Sequence, residues 1–561
     1  MVAYGRLRGP PKLPQTGNQR MSVPALPEGM DERAGTIEFL RARLAGLYTP
    51  GRLVAVMLLQ AVLLAGHIAT SWHAGPDSAL YMGLGRSLAE GQGYVFNHEP
   101  HTMVPPLYPL LLAGVMKLAG PSYLALNISQ VVLALACTPL AFWLLRRWFG
   151  PDLAIVGAGL FALGFCLWNT ASMVISDLLF TALALGGMLA AEWAASRGRS
   201  ISVMIAGALL GAASLTRITG ATIVPGAVIA IWLGWPGRSR LARAAACIAV
   251  GVLAAAPLLA WQQWAASART GGVGYLEMSL LNRPLGQMLT SVSMNLLVEL
   301  PEELSALVLG LGGLPVGASL LVPALAVVSC VVCLRRRVAM LPATLAAMLV
   351  PLAVVPGVRM RYLLFLQPGL IVLVLVGIVA LVRRAAPRGA RVSPGARTVI
   401  LLGLGLVAAM HVGRSAGRLW RYRCDEVPGG HRIGSRQGWF TASEYIAARA
   451  PNAVVMTRHP GVVHYLTRAR TLGTKYAREP SAAQYAEFIR AHRPEYLLAE
   501  APDERTARVL EGFGLAGAHV QRVQGMRLTG KITLWRVSYP DDRGSAASAP
   551  ATGSSSTSTS S

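Results

Sequence analysis

Charge is what this chain has least of. Only 14% of its 561 residues are Asp, Glu, Lys or Arg, against about 25% in an ordinary soluble domain, which excludes a protein that is soluble throughout. Acidic residues are the scarcer kind, 26 against 51 Lys plus Arg, for a formal net charge of +25. Cysteine is sparse as well: there are six, and Cys137, Cys166, Cys247, Cys330 and Cys333 fall inside apolar runs, so no disulfide framework is indicated. The Cys330-x-x-Cys333 pair lies in LAVVSCVVCL and reads as small buried residues rather than thiolate ligands. The first 50 residues are basic and Pro-rich, without an apolar core followed by a small-residue cleavage site, so no removable signal peptide is expected. No internal repeat of the kind common in transporters is present.

Apolar sequence is what the chain has in abundance, with 53% hydrophobic residues and a mean hydropathy of +0.49. Runs long enough to cross a bilayer occur near 51–71, 122–145, 152–170, 178–196, 201–216, 219–235, 243–262, 308–334, 338–356, 361–382 and 398–413, about eleven spans in all. The cations between them cluster at Arg146-Arg147, Arg197 and Arg199, Arg238 to Arg243, Arg335 to Arg337 and Arg383 to Arg397. Such short clusters are expected of cytoplasmic loops. They do not form the continuous basic face that a nucleic-acid reader needs.

With the basic segment 1–50 inside, the arginine clusters all fall on the cytoplasmic side, and the loops at 72–121, 171–177, 263–307 and 357–360 fall outside. An odd number of spans puts the carboxyl-terminal segment outside too. The stretch 105–120, PPLYPLLLAGVMKLAG, is apolar but short. Counting it as a span turns Arg146-Arg147 and Arg335 to Arg337 outward, so it is expected to be an interfacial helix. Residues 201–235 read as a hairpin of two short spans.

This sidedness gathers the costly residues on the outer face. Asp77 follows the first span, Asp177 precedes the fourth, Arg217 sits at the hairpin tip, and Arg359 and Arg361 flank the start of the tenth. Carboxylates at a membrane edge point to function, and arginine forks match phosphate oxygens, so acid–base chemistry beside an anion site is the expectation. Plainer roles stand beside it. Asp77 and Asp177 suit helix N-caps, and span-end arginines snorkel to headgroups. The His98-Glu99-Pro-His101 cluster suits a solvated turn; Trp72, Tyr81 and Tyr108 suit interfacial anchors; Glu277, Arg283, Glu302 and Glu303 suit the wet faces of interfacial helices.

From Gly434 to Tyr539 charges become frequent, and short runs such as AVVMT, EYLLAE and ITLWRVS alternate with helical patterns, the mark of a small α/β domain. It has no P-loop or nucleophile-elbow pattern. The Ser/Thr-rich residues 541–561 are expected to be disordered. The domain plan is therefore 1–50, basic and cytoplasmic; 51–415, transmembrane; 434–540, α/β on the outer face; and the tail.

Four features together resemble the polyprenyl-phosphate-sugar-dependent glycosyltransferases of the GT-C superfold, family 39 type, the branch with bacterial protein O-mannosyltransferases and the lipid A aminoarabinose transferase. They are the acidic first outer loop with Asp-Ser-Ala-Leu-Tyr-x4-Arg-Ser-Leu-Ala-Glu-Gly-x-Gly-Tyr, the Pro-Pro-Leu-Tyr-Pro helix, Ser176-Asp177-Leu-Leu-Phe, and Arg361-Tyr362-Leu-Leu. The resemblance covers residues 50 to 415. It implies a fold of about eleven transmembrane helices with interfacial helices in the first outer loop, and transfer of a sugar from a lipid-linked donor to a glycan, lipid or protein acceptor outside the membrane. It makes Asp77 the base and Asp177 an organiser of the site, with a divalent cation at Asp77 and Asp177 as an option. Arg217, Arg361 and Arg359 would neutralise the donor phosphate, and His98, Glu99 and His101 would lie near phosphate, sugar or metal. The His98–His101 segment departs from the Glu-Lys pair of the aminoarabinose transferase, so neither that enzyme's donor nor its acceptor is carried over. The competing readings are a secondary transporter or lipid flippase, and a polysaccharide polymerase or ligase.

Overall fold

A computed structural model describes residues 35–72, 75–235, 239–269, 285–336, 338–354, 357–385, 395–424, 437–474, 480–500, 504–524 and 532–540. Most of the basic amino-terminal segment, Glu277 and Arg283, and the Ser/Thr-rich tail lie outside the described residues.

The chain is a polytopic membrane protein. Six helices among the described residues are long and apolar enough to cross a bilayer: Tyr123–Phe149, Asp177–Arg197, Arg240–Ser267, Val316–Arg335, Met360–Ala385 and Ala396–Trp420. Shorter apolar helices occupy Pro50–Ala65, Leu107–Ala119, Ser200–Thr216, Ile218–Gly234 and Met340–Ala353. Met360–Ala385 is the most enclosed of the long helices and Ala396–Trp420 the least.

Two of the apolar runs are broken by glycine. The run at 152–170 forms Pro151–Ala162 and Phe165–Ala171, bent by 47°. At the bend a Cβ on Gly164 would stand 2.8 Å from the Gln367 side chain, and Trp168 Nε1 donates to the freed Ala162 carbonyl at 2.8 Å, a usual way to satisfy a helix break. The expected span 308–334 is corrected to begin at Val316, because the helix Leu300–Leu309 ends at Gly310 with φ 73°, a left-handed C-terminal stop that suits glycine.

The first outer loop carries two packed helices. The first loop helix, Pro76–Ala89, has Pro at its start and Gly75 as N-cap, where Ser78 Oγ accepts from the Gly75 amide and from Trp72 Nε1. The second loop helix, Leu107–Ala119, has 13 residues, about 20 Å of rise, too short for a hydrocarbon core of about 30 Å. The two approach closely at Gly85, where a Cβ would stand 2.9 Å from Leu112 Cβ. Between them a hairpin pairs β1 (Val95–Phe96) with β2 (Glu99–Pro100), and its turn residues Asn97 and His98 have φ of 56° and 67°, as a type I′ turn requires.

The carboxyl-terminal residues form a five-stranded mixed sheet in the order β4-β3-β5-β7-β6: β3 (Val454–Thr457), β4 (Arg470–Gly473), β5 (Tyr496–Glu500), β6 (His519–Arg522) and β7 (Ile532–Ser538). β3 runs parallel to β4 and β5, while β7 is antiparallel to β5 and β6. This module packs on the loop helices. Trp72, Met82, Tyr108, Leu112 and Met116 share one apolar cluster with Phe440, Val462 and Tyr465. Trp72 and Tyr108, expected as interfacial anchors, are instead fully buried, because the module covers them.

Candidate functional site

The site is assembled from four segments far apart in sequence. Asp77 lies in the first turn of the first loop helix and Asp177 in the first turn of the span Asp177–Arg197. Neither carboxylate caps its helix, since Gly75 and Ser176 are the N-caps. Asp77 reaches Arg361, with Oδ2 accepting from Nη2 at 2.6 Å. Asp177 reaches Arg217, with Oδ1 accepting from Nη1 at 2.6 Å, and its Oδ2 stands 4.0 Å from Arg361 Nη1. Arg361 thus bridges the two carboxylates, and Arg217 completes a balanced set of two negative and two positive groups.

Exposure separates the two acids. The Asp77 side chain is 50% exposed and that of Asp177 only 2%. Asp177 Oδ2 is buried with no hydrogen-bond partner, a costly state that leaves an acceptor pointing into the cluster. Tyr362 holds both guanidinium groups over its ring, with Arg217 at 5.0 Å and Arg361 at 5.5 Å from the centroid, a favourable cation–π geometry. One turn beyond Asp77, Tyr81 accepts from Ser176 Oγ at 3.0 Å and ties the two acidic helices together. Burial pushes the Tyr81 hydroxyl pKa up, so the phenol stays neutral.

Two carboxylates position Arg361 from behind. Glu299 Oε2 accepts from the Val358 amide at 2.6 Å, and Glu303 Oε2 accepts from the Met360 amide at 2.8 Å. Glu303, expected on a wet face, is in fact half-buried against this turn. Arg359 is exposed at the same turn and interacts electrostatically with Glu303; no salt bridge joins it to Asp77 or Asp177.

The model of the dolichyl-phosphate-mannose-protein mannosyltransferase family matches residues 103–264, a region that holds Asp177 and Arg217. No curated protein matches the sequence significantly. Among solved structures, ArnT from Cupriavidus metallidurans bound to undecaprenyl phosphate is 15% identical with a TM-score of 0.56, and the match covers 87% of this chain and 98% of that one. Its apo form matches with the same identity and TM-score over 86% and 97%. The Archaeoglobus fulgidus oligosaccharyltransferase tethered with an acceptor peptide is 14% identical with a TM-score of 0.51, over 86% of this chain and 73% of that one. The chain shares the fold of these solved proteins.

Within this fold, the His98–His101 segment does not join the carboxylate–arginine cluster. His98 Nε2 contacts the Arg468 carbonyl at 2.9 Å, and Glu99 faces Arg470 at 3.8 Å. His101 accepts from the Val104 amide and packs against Tyr94 and Phe96. Asn97 beside them accepts from the Thr471 amide at 2.7 Å, donates to its carbonyl at 2.8 Å, and donates its own amide to His464 Nε2 at 3.0 Å. The hairpin is a docking point for the carboxyl-terminal sheet.

The same geometry bears on a divalent cation. Among the described residues no group of three or more His, Cys, Asp or Glu stands close enough to hold one. Asp77 and Asp177 are already faced by guanidinium groups, and a hard cation needs more oxygen ligands than two carboxylates supply. These residues do not fit a metal ion.

Proposed function

We propose that the chain is a membrane glycosyltransferase that moves a sugar from a polyprenyl-phosphate donor to an acceptor on the outer face of a bacterial-type plasma membrane, with Asp77 as general base. The observation that carries this is the arrangement of one accessible carboxylate, Asp77, and one buried carboxylate, Asp177, around the bridging guanidinium of Arg361. The similarity to a protein solved with undecaprenyl phosphate supports the donor class.

In this reading the Asp77 carboxylate takes the proton of an acceptor hydroxyl while that oxygen attacks the anomeric carbon. The bond from that carbon to the phosphate oxygen breaks, and its electron pair leaves with the lipid phosphate, where Arg361 and Arg217 neutralise the charge. Arg359 adds positive potential at the mouth. Asp177 keeps both guanidinium groups in place. The reading also has about eleven spans, counting the shorter helices, a cytoplasmic amino terminus and the sheet module outside.

Asp77→Asn and Asp177→Asn proteins that remain folded are to be assayed for sugar release from polyprenyl-phosphate donors. Asp77→Asn is expected to lose roughly 10²- to 10⁴-fold in turnover. Unchanged turnover in that variant removes the mechanism.

A further inference from the structure

Where the loop helices meet the sheet module there is a cavity of about 460 Å³, lined by Arg86, Glu90, Lys117, Tyr123, Tyr465 and Arg468 among others. Its volume lies in the range of small-molecule sites. Arg86, in the last turn of the first loop helix, is half-buried, and its guanidinium lies 4.7 Å from the centre of the Tyr465 ring. Among the described residues it makes no salt bridge. Lys117, exposed on the second loop helix, likewise has no carboxylate partner among the described residues. Arg468 differs, since it pairs with Glu90 at 2.6 Å. The lining therefore carries three cations, Arg86, Lys117 and Arg468, against one carboxylate, Glu90, around a cavity whose walls include two tyrosines.

We propose that this cavity is the acceptor subsite, and that it holds the phosphate or carboxylate of an anionic saccharide between Arg86 and Lys117. The proposal rests on the glycosyltransferase reading of the Asp77 cluster. A guanidinium offers paired donors that match either anion, and the flat tyrosine rings suit the apolar face of a sugar. Burial works against the charge of Arg86, and a bound anion offsets that cost. The donor phosphate already has Arg217 and Arg361, which leaves this second positive site for the other substrate.

The test uses the full chain in phosphatidylcholine nanodiscs, titrated calorimetrically with glucose 6-phosphate, glucuronate, glucose and inorganic phosphate. The expected result is that both anionic sugars bind at least tenfold more tightly than glucose, and glucose 6-phosphate more tightly than inorganic phosphate. Arg86→Gln and Lys117→Gln should each weaken the anionic sugars several-fold, and Arg86→Lys should retain them. Lys117 is exposed, so its replacement does not depend on refolding the junction. Displacement of the sugars by phosphatidylglycerol in the disc assigns the same anion site to a lipid-borne headgroup. Equal binding by wild type and Lys117→Gln, or no preference for anionic sugars, overturns the proposal. Loss of turnover in Asp77→Asn is read separately, so the catalytic reading and the acceptor subsite fail or stand independently.

Discussion

Asp177 shows at the scale of a single residue why the cluster must be complete. Its carboxylate is almost wholly buried and its stable partner is Arg217. Breaking a buried pair from one side costs about 3–5 kcal/mol, whereas removing both charges costs much less. Arg217→Gln should therefore lower the thermal midpoint sharply, and the Arg217→Gln, Asp177→Asn double variant should recover part of the loss. Thermal unfolding followed in detergent checks this, and a double variant no more stable than the single would deny that the pair is a unit. Asp77, Asp177, Arg217 and Arg361 were legible in the sequence because charge at a membrane edge is expensive and because positive-inside counting put them on one side. Glu299 and Glu303 were not legible. Each accepts from a backbone amide far along the chain, an interaction that leaves no pattern in side-chain types.

The hairpin β1–β2 and the helix Pro460–Thr467 make the clearest case among the elements. His464 Nδ1 donates to the Ala469 carbonyl while Nε2 accepts from the Asn97 amide, so protonating Nε2 removes the bond to the hairpin. Burial pulls the pKa of His464 down to about 4, with His98, Arg86 and Arg468 nearby adding to the effect, and burial does the same for His101. Both rings are neutral when folded and charge more readily when unfolded. Their stabilisation is therefore full above pH 6.5 and is lost as pH falls from 6.5 toward 4, on the order of 3 kcal/mol each. Hydrogen exchange at the hairpin and at β4 should rise over that interval, and a flat profile would contradict the burial. In a second test, Asn97→Gly keeps the left-handed turn but deletes the side-chain bonds to Thr471, so exchange should rise at neutral pH with the hairpin intact. Of these elements the short Pro-Pro helix was foreseeable from the arginine pattern. The breaks at Gly164 and Gly310 were not, because glycine barely changes a hydropathy window, and what decides each break is a contact with Gln367 or a left-handed φ.

The whole molecule is a membrane bundle whose carboxylate–arginine cluster lies beneath a loop that is itself clamped by the sheet module. Sidedness implies that the module is outside, so alkaline phosphatase fused after residue 540 should be active and a fusion after Arg147 inactive; the reverse pattern would invert the topology. The bundle was legible from apolar runs and cation clusters. The clamp was hidden, because Trp72 and Tyr108 look like interfacial belt residues until Phe440 and Tyr465 cover them. That cover is made later than the surface it covers. Synthesis runs from the amino terminus, so Trp72 and Tyr108 emerge long before residues 437–540 exist, and the loop stays bare until those residues have been made. A chain truncated near residue 424 therefore keeps the apolar helices described above but has an uncovered apolar surface, a natural substrate for quality-control proteases.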